Sequence, residues 1–161
     1  MLKRRAVLSL AAATAACVTA VAPAVASPAG PINNACAGGG YNPNNATDVH
    51  VASQETGVGN DTDAVLQMKY GYIGSTLIVW AKIYNASVGD GASLRWSDDR
   101  GANYHRCGRP ANAGYAYITS GGDQYTLGSN NVNGRWFKAC GYDKSSGKID
   151  CTPSSDTWIH F

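Results

Sequence analysis

The sequence predicts an all-β domain, a small sandwich or barrel of about eight short antiparallel strands stapled by disulfides. Three observations lead there. Residues that favour helix are scarce, and Glu55 is the single glutamate of the 161 residues. Turn signals rich in Gly, Asn, Asp and Ser recur every 8–12 residues or so, between short alternating runs. Four cysteines, Cys36, Cys107, Cys140 and Cys151, remain once an export leader is set aside, an even number suited to cross-links.

Residues 1–26 read as that leader. Lys3, Arg4 and Arg5 precede an apolar, Ala-rich run to about Val25, and Ala24-Val25-Ala26 suits cleavage before Ser27. The run is interrupted by Thr14, Thr19 and Pro23, which argues against a retained membrane anchor. Three of the thirteen cations leave with it. The remaining 135 residues then hold ten cations against eleven carboxylates, so bulk charge gives no support to a nucleic-acid or anionic-membrane partner. The expected location is extracellular.

Residues 27–46 contain three prolines, four glycines and five asparagines up to Asn45, with little to bury. They are expected to form an extended arm pinned at Cys36 and otherwise mobile, either an inert leader or a peptide that docks into a partner. On the second reading Pro28, Pro31, Ile32, Asn33 and Tyr41 contact the partner, and removing residues 27–35 leaves the domain folded. Residues 47–161 are expected to be one β domain. Thr47–Ser53 alternates as a strand, and a polar loop (QETGVGNDTD) follows. Val65–Tyr72 and Thr76–Tyr84, joined by Gly74-Ser75, read as a central hairpin rich in β-branched and aromatic residues. Ser93–Ser97 follows Gly91 as a strand, and the next segment, through Cys107 to Gly114, reads as a long loop. Strands are expected again at Gly114–Thr119, Gln124–Leu127, Gly134–Tyr142 and Asp156–Phe161.

Between Cys140 and Cys151 the stretch Lys144-Ser-Ser-Gly147 is a turn signal between extended flanks. A hairpin there sets the two cysteines side by side, so Cys140–Cys151 and Cys36–Cys107 is the favoured pairing among three connectivities. Zinc would require close ligand pairs, and neither C-x-x-C nor H-x(3–5)-H occurs. A cysteine nucleophile would require a free thiol beside a base. No G-x-S-x-G elbow is present, Asp98-Asp99 suit a solvated turn, and Asn60-Asp61-Thr62-Asp63 lacks a calcium loop with its terminal Glu. No cofactor is expected.

Aromatics are abundant instead, with four tryptophans and nine tyrosines. Several stand beside cations in sequence. Trp96 follows Arg95, Trp136 lies between Arg135 and Lys138, and Tyr104 precedes Arg106. Such pairs either fill the core with cations snorkelling past, or form a protein interface, where Tyr, Trp and Arg are enriched. The interface reading takes Trp96, Tyr104, Arg106 and Trp136 as partner-binding residues.

LQMKYG, a strand ending VWAKI, the Gly89-Asp90 turn and the distal RWFKAC resemble a family of small exported actinobacterial β domains with an L-R-Y-S strand, a W-A-R strand and a late A-C. Those domains place a cysteine between the two motifs, where this chain has Ile73-Gly74-Ser75. By layout alone, a small exported β domain with a pinned arm also resembles the adaptor subunit of umbrella-shaped toxin particles of actinobacteria. The resemblances imply export, a β fold and, for the second, membership of a secreted complex. The sequence thus predicts a non-enzymatic secreted binding protein with a protein partner. A glycan-binding module and a small protease inhibitor or hydrolase are the alternatives.

Overall fold

In a computed structural model, residues 31–154 and 156–161 are described, and they form two packed β-sheets. The larger contains β1 (Pro31–Asn34), β5 (Gly91–Ser97), β6 (Tyr104–Cys107), β7 (Ala116–Tyr117), β9 (Trp136–Tyr142), β10 (Ile149–Thr152) and β11 (Ile159–His160). Its path runs β1-β6-β5-β9-β10, with β7 beside β5 and β11 beside β9. The smaller has the order β2 (Thr47–Val58), β3 (Asp61–Ile73), β4 (Thr76–Tyr84), β8 (Gln124–Tyr125). The expected all-β fold is therefore present, and of the two forms expected it is the sandwich, with eleven strands among the described residues rather than about eight.

Period-2 alternation assigns the faces. From the smaller sheet Leu66, Met68, Val79, Ala81 and Ile83 point inward, and from the larger Ala92, Leu94, Phe137 and Ala139 meet them, all fully buried. Side chains one position away necessarily point outward. The expected hairpin is present, with Ile73 opposite Thr76 around Gly74-Ser75 and pairing continuous to Val65–Tyr84.

Both expected disulfides form. Cys140 and Cys151 are direct register partners in the β9–β10 hairpin, and Cys36–Cys107 joins the N-terminal segment to β6. Such bonds persist in an oxidising environment. Among the described residues no helix is long and apolar enough to cross a membrane. The leader expected at residues 1–26 lies outside the described residues.

Two expectations are corrected. The polar stretch after Ser53 is not a loop. β2 runs on to Val58 and turns at Gly59-Asn60, where Val58 pairs with Asp61. Its polar residues fit because β2 is an edge strand, largely solvent-exposed. Gly59 has φ +63°, and a Cβ there would lie 2.4 Å from Asp143 Oδ2. The turn is fastened to the β9–β10 hairpin, since Gly59 N–H donates to Asp150 (2.6 Å) and Asn60 N–H to Asp143 (2.7 Å).

The second correction concerns the arm. From Pro31 onward it belongs to the sandwich. β1 runs parallel to β6, Cys36 and Ala37 are buried, and Tyr41 exchanges backbone bonds with Gly128 (3.0 and 2.8 Å). The asparagines that suggested mobility instead supply local bonds. Asn42 Oδ1 caps the 3-10 turn Pro43–Asn45 by accepting from Asn44 N–H, and Asn34 Oδ1 accepts from Arg106 Nε. Removing residues 27–35 would take away β1 itself.

Candidate functional site

The outward face of the larger sheet concentrates the cations. Cross-strand register sets Arg106 opposite Arg95 and Arg95 opposite Lys138, on β6, β5 and β9. Three like charges thus stand side by side across neighbouring strands, spaced by the roughly 4.8 Å between strands. Directly opposed like charges destabilise a sheet, so packing alone does not favour this row. Among the described residues no carboxylate forms an ion pair with Arg95 or Arg106.

Aromatic rings hold the row in place. Arg95 lies over Tyr104 (4.9 Å to the centroid), Arg106 over Tyr115 (5.4 Å) and Lys138 over Trp158 (5.1 Å), while Arg100 lies over Trp136 (5.1 Å). Each such contact contributes about 0.5–2 kcal/mol, depending on desolvation. Tyr115, Tyr117 and Tyr142 pack together at one end of the face, with centroids 5.7–6.2 Å apart. Burial, then the neighbouring Tyr115 and Tyr142, raise the pKa of Tyr117.

The row is partly desolvated. Lys138 is 4% exposed, and burial first, then Arg95, lowers its pKa, while Asp156 acts in the opposite sense. Buried Arg95 Nε, Ser93 Oγ and Tyr115 OH have no hydrogen-bond partner among the described residues. Buried donors left unmatched cost free energy. The arrangement is a pre-oriented, cation-rich surface suited to carboxylates.

A loop between β5 and β6 shapes one end. Ser97 Oγ accepts from Gly101 N–H (2.9 Å), and Gly101, at φ +93°, lies directly under Trp158, where a Cβ would come within 2.4 Å of the indole. Asp99 closes the loop by accepting from Asn103 N–H, the Ser97 hydroxyl and the Asn103 amide (2.9, 2.6 and 2.8 Å). These bonds, the Asn103 backbone first, hold its carboxyl at about 2. A folded-state pKa below the ordinary 3.9 contributes stability that is present above pH 4 or so and is lost as pH falls through about 2. Asp143 acts with the same sign, its pKa lowered most by the Ser146 hydroxyl. An NMR titration should therefore place the Asp99 midpoint near 2; a midpoint near 4 would show that the loop does not keep these bonds in solution.

The residues expected from sequence separate into groups. Tyr104, Arg106 and Trp136 all lie on this face. Trp96 does not. It is 8% exposed and part of the core, its indole N–H donates to Ala35 O (2.8 Å), and its ring lies between His105 (4.0 Å) and the Arg135 guanidinium (4.9 Å). It clamps the start of the domain and offers a partner little surface. Pro31 and Ile32 are exposed on β1, Ile32 at 59%, and Asn33 hydrogen-bonds His105. Tyr41 is half-buried, its hydroxyl accepting from Asn130 (3.1 Å). Pro28 lies outside the described residues.

Sequence reasoning missed Arg95, Lys138, Trp158 and the tyrosine trio. It set Arg95 with Trp96, adjacent in the chain, whereas neighbours on a strand point to opposite faces. Arg95 and Trp96 are on opposite sides of β5, so Arg95 meets Tyr104 and Trp96 meets Arg135. The i, i+2 pairs it did note, Trp136 with Lys138 and Tyr104 with Arg106, share the outward face. The three histidines are separate, each against a ring: His50 on Tyr70, His105 on Trp96, His160 on Trp136.

No protein-family model matches this chain, and neither a curated protein nor a solved structure shows significant similarity to it.

Proposed function

We propose that the protein is an exported, non-catalytic binding domain, an adaptor or accessory subunit of a secreted complex, which uses the outward face of the larger sheet to engage an acidic surface on a protein partner. The adjacent arginines Arg106 and Arg95, with Lys138 buried beside them, carry the reading. Like charges held in register cost stability, and an acidic partner would repay that cost. The rings around the row are of the types that dominate interface energetics. Ring faces covered by the chain's own cations are poor platforms for a neutral sugar, which favours a protein at this face. The likeness to toxin-particle adaptors proposed from the sequence makes such a particle the complex to look for, although most of the arm it invoked is part of the sandwich.

The test is the native size of the protein in its culture supernatant, by gel filtration with mass spectrometry of co-eluting chains. The wild type is expected in a larger particle that weakens with salt. The Arg95→Gln/Arg106→Gln variant should bind its companion about tenfold or more weaker. Elution of the wild type as a lone monomer, or capture indifferent to these substitutions, would overturn the reading.

A further inference from the structure

A separate groove of about 280 Å³ lies on the outward face of the smaller sheet, on the other side of the sandwich. It is lined by Trp80, Lys69, Lys82, Asp123, Asn44 and Tyr125, together with Val49. Register explains the grouping. Lys69 pairs with Trp80 and Lys82 with Tyr125, while their neighbours Met68, Val79 and Ala81 point into the core. Trp80 is 4% exposed and is therefore a floor.

Charge in the groove is unbalanced. Asp123 pairs with Lys82 (3.2 Å), and among the described residues no carboxylate pairs with Lys69. The Lys69 pKa is lowered by burial and then by Lys82. Beside this spare cation stand groups suited to hydroxyls. Tyr125 OH accepts from Asn44 Nδ2 (2.6 Å) and keeps its own proton to donate, and the Asp123 carboxylate accepts. Val49, 43% exposed, supplies an apolar wall. A bare carboxylate would use Lys69 and leave the second Asp123 oxygen without a donor. A hydroxylated ring bearing one carboxylate would use both, with its C–H surface on Val49.

We propose that this groove binds a uronic-acid residue of an acidic polysaccharide, with Lys69 receiving the carboxylate and Asp123, Asn44 and Tyr125 the hydroxyls. The site goes beyond the protein interface proposed above and does not depend on it. The experiment is calorimetric titration of the whole mature protein with tetragalacturonate, with cellotetraose and tetraglutamate as comparisons, and NMR observation of the Trp80 indole. Saturable binding of tetragalacturonate alone is expected, with a shifted Trp80 resonance. Lys69→Gln should weaken it about tenfold, the loss of one charge-assisted contact. Asp123→Asn, which keeps the side-chain size, should weaken it as well, and an unchanged melting midpoint should show both variants folded. Equal binding of tetraglutamate would overturn the proposal in favour of a carboxylate site. Absence of binding, or binding abolished by Arg95→Gln/Arg106→Gln and untouched by Lys69→Gln, would also overturn it, without bearing on a protein partner at the other face.

Discussion

Replacing Cys36 and Cys107 together by alanine is expected to lower the unfolding free energy by about 4 kcal/mol, the chain-entropy value for a loop of this length. The bond spans 71 residues and holds the edge strand β1, which is four residues long and paired on one side alone. Cys107 is fully buried, so its loss also removes packing. Urea unfolding measures the total. A second readout locates the damage: the Trp96 indole loses its Ala35 carbonyl when β1 lifts away, and its fluorescence should change before the main transition. The Cys140–Cys151 bond closes a separation of 11 residues already aligned by the β9–β10 register. Its removal is expected to cost less, about 3 kcal/mol at most on the same argument. A loss below about 1 kcal/mol for the Cys36–Cys107 variant would mean that hydrogen bonds and packing suffice to hold the arm.

Phe137→Ala is expected to cost about 3–5 kcal/mol, whereas Trp136→Ala, one residue earlier, should cost about 1 kcal/mol or less. Phe137 is fully buried between the sheets, pairs in register with Trp96 and Ile159, and meets Phe161 edge to face (5.7 Å, 83°). Trp136 points the other way, half-buried under Arg100 and beside His160. The two variants should therefore separate stability from capture. Phe137→Ala lowers the melting midpoint of the whole domain, and Trp136→Ala weakens partner binding in a protein that still unfolds cooperatively. Equal destabilisation by both would contradict the assignment of faces along β9.

The sequence made some of this legible where local chemistry and tertiary structure agree. Val65–Tyr84 reads as a hairpin because alternation, β-branching and a Gly-Ser turn point the same way, and it folds as one. The Cys140–Cys151 pairing followed from a short turn between extended flanks. β2 was legible only to Ser53, since beyond it the strand's polarity reflects an exposed sheet edge. The docking of Pro31–Asn34 was hidden because the strand that receives it, Tyr104–Cys107, itself lies in a stretch that reads as loop. The candidate site was legible in kind, as aromatics mixed with cations. Its central row was not. Arg95, Arg106 and Lys138 become neighbours solely through the registers β5–β6 and β5–β9, long-range quantities that no local window contains.

That row also bears on how the protein avoids itself. A surface crowded with Tyr104, Trp136, Trp158 and three more tyrosines would ordinarily invite two copies to stack face to face. Here such a pairing would bring Arg95 and Arg106 of one copy against the same two of the other, and like-charge repulsion at contact opposes it. On the proposed reading the arginines thus act as a gatekeeper as well as a grip. On that argument the face is expected to stay solitary at high concentration, until the acidic surface proposed for it arrives to cover it.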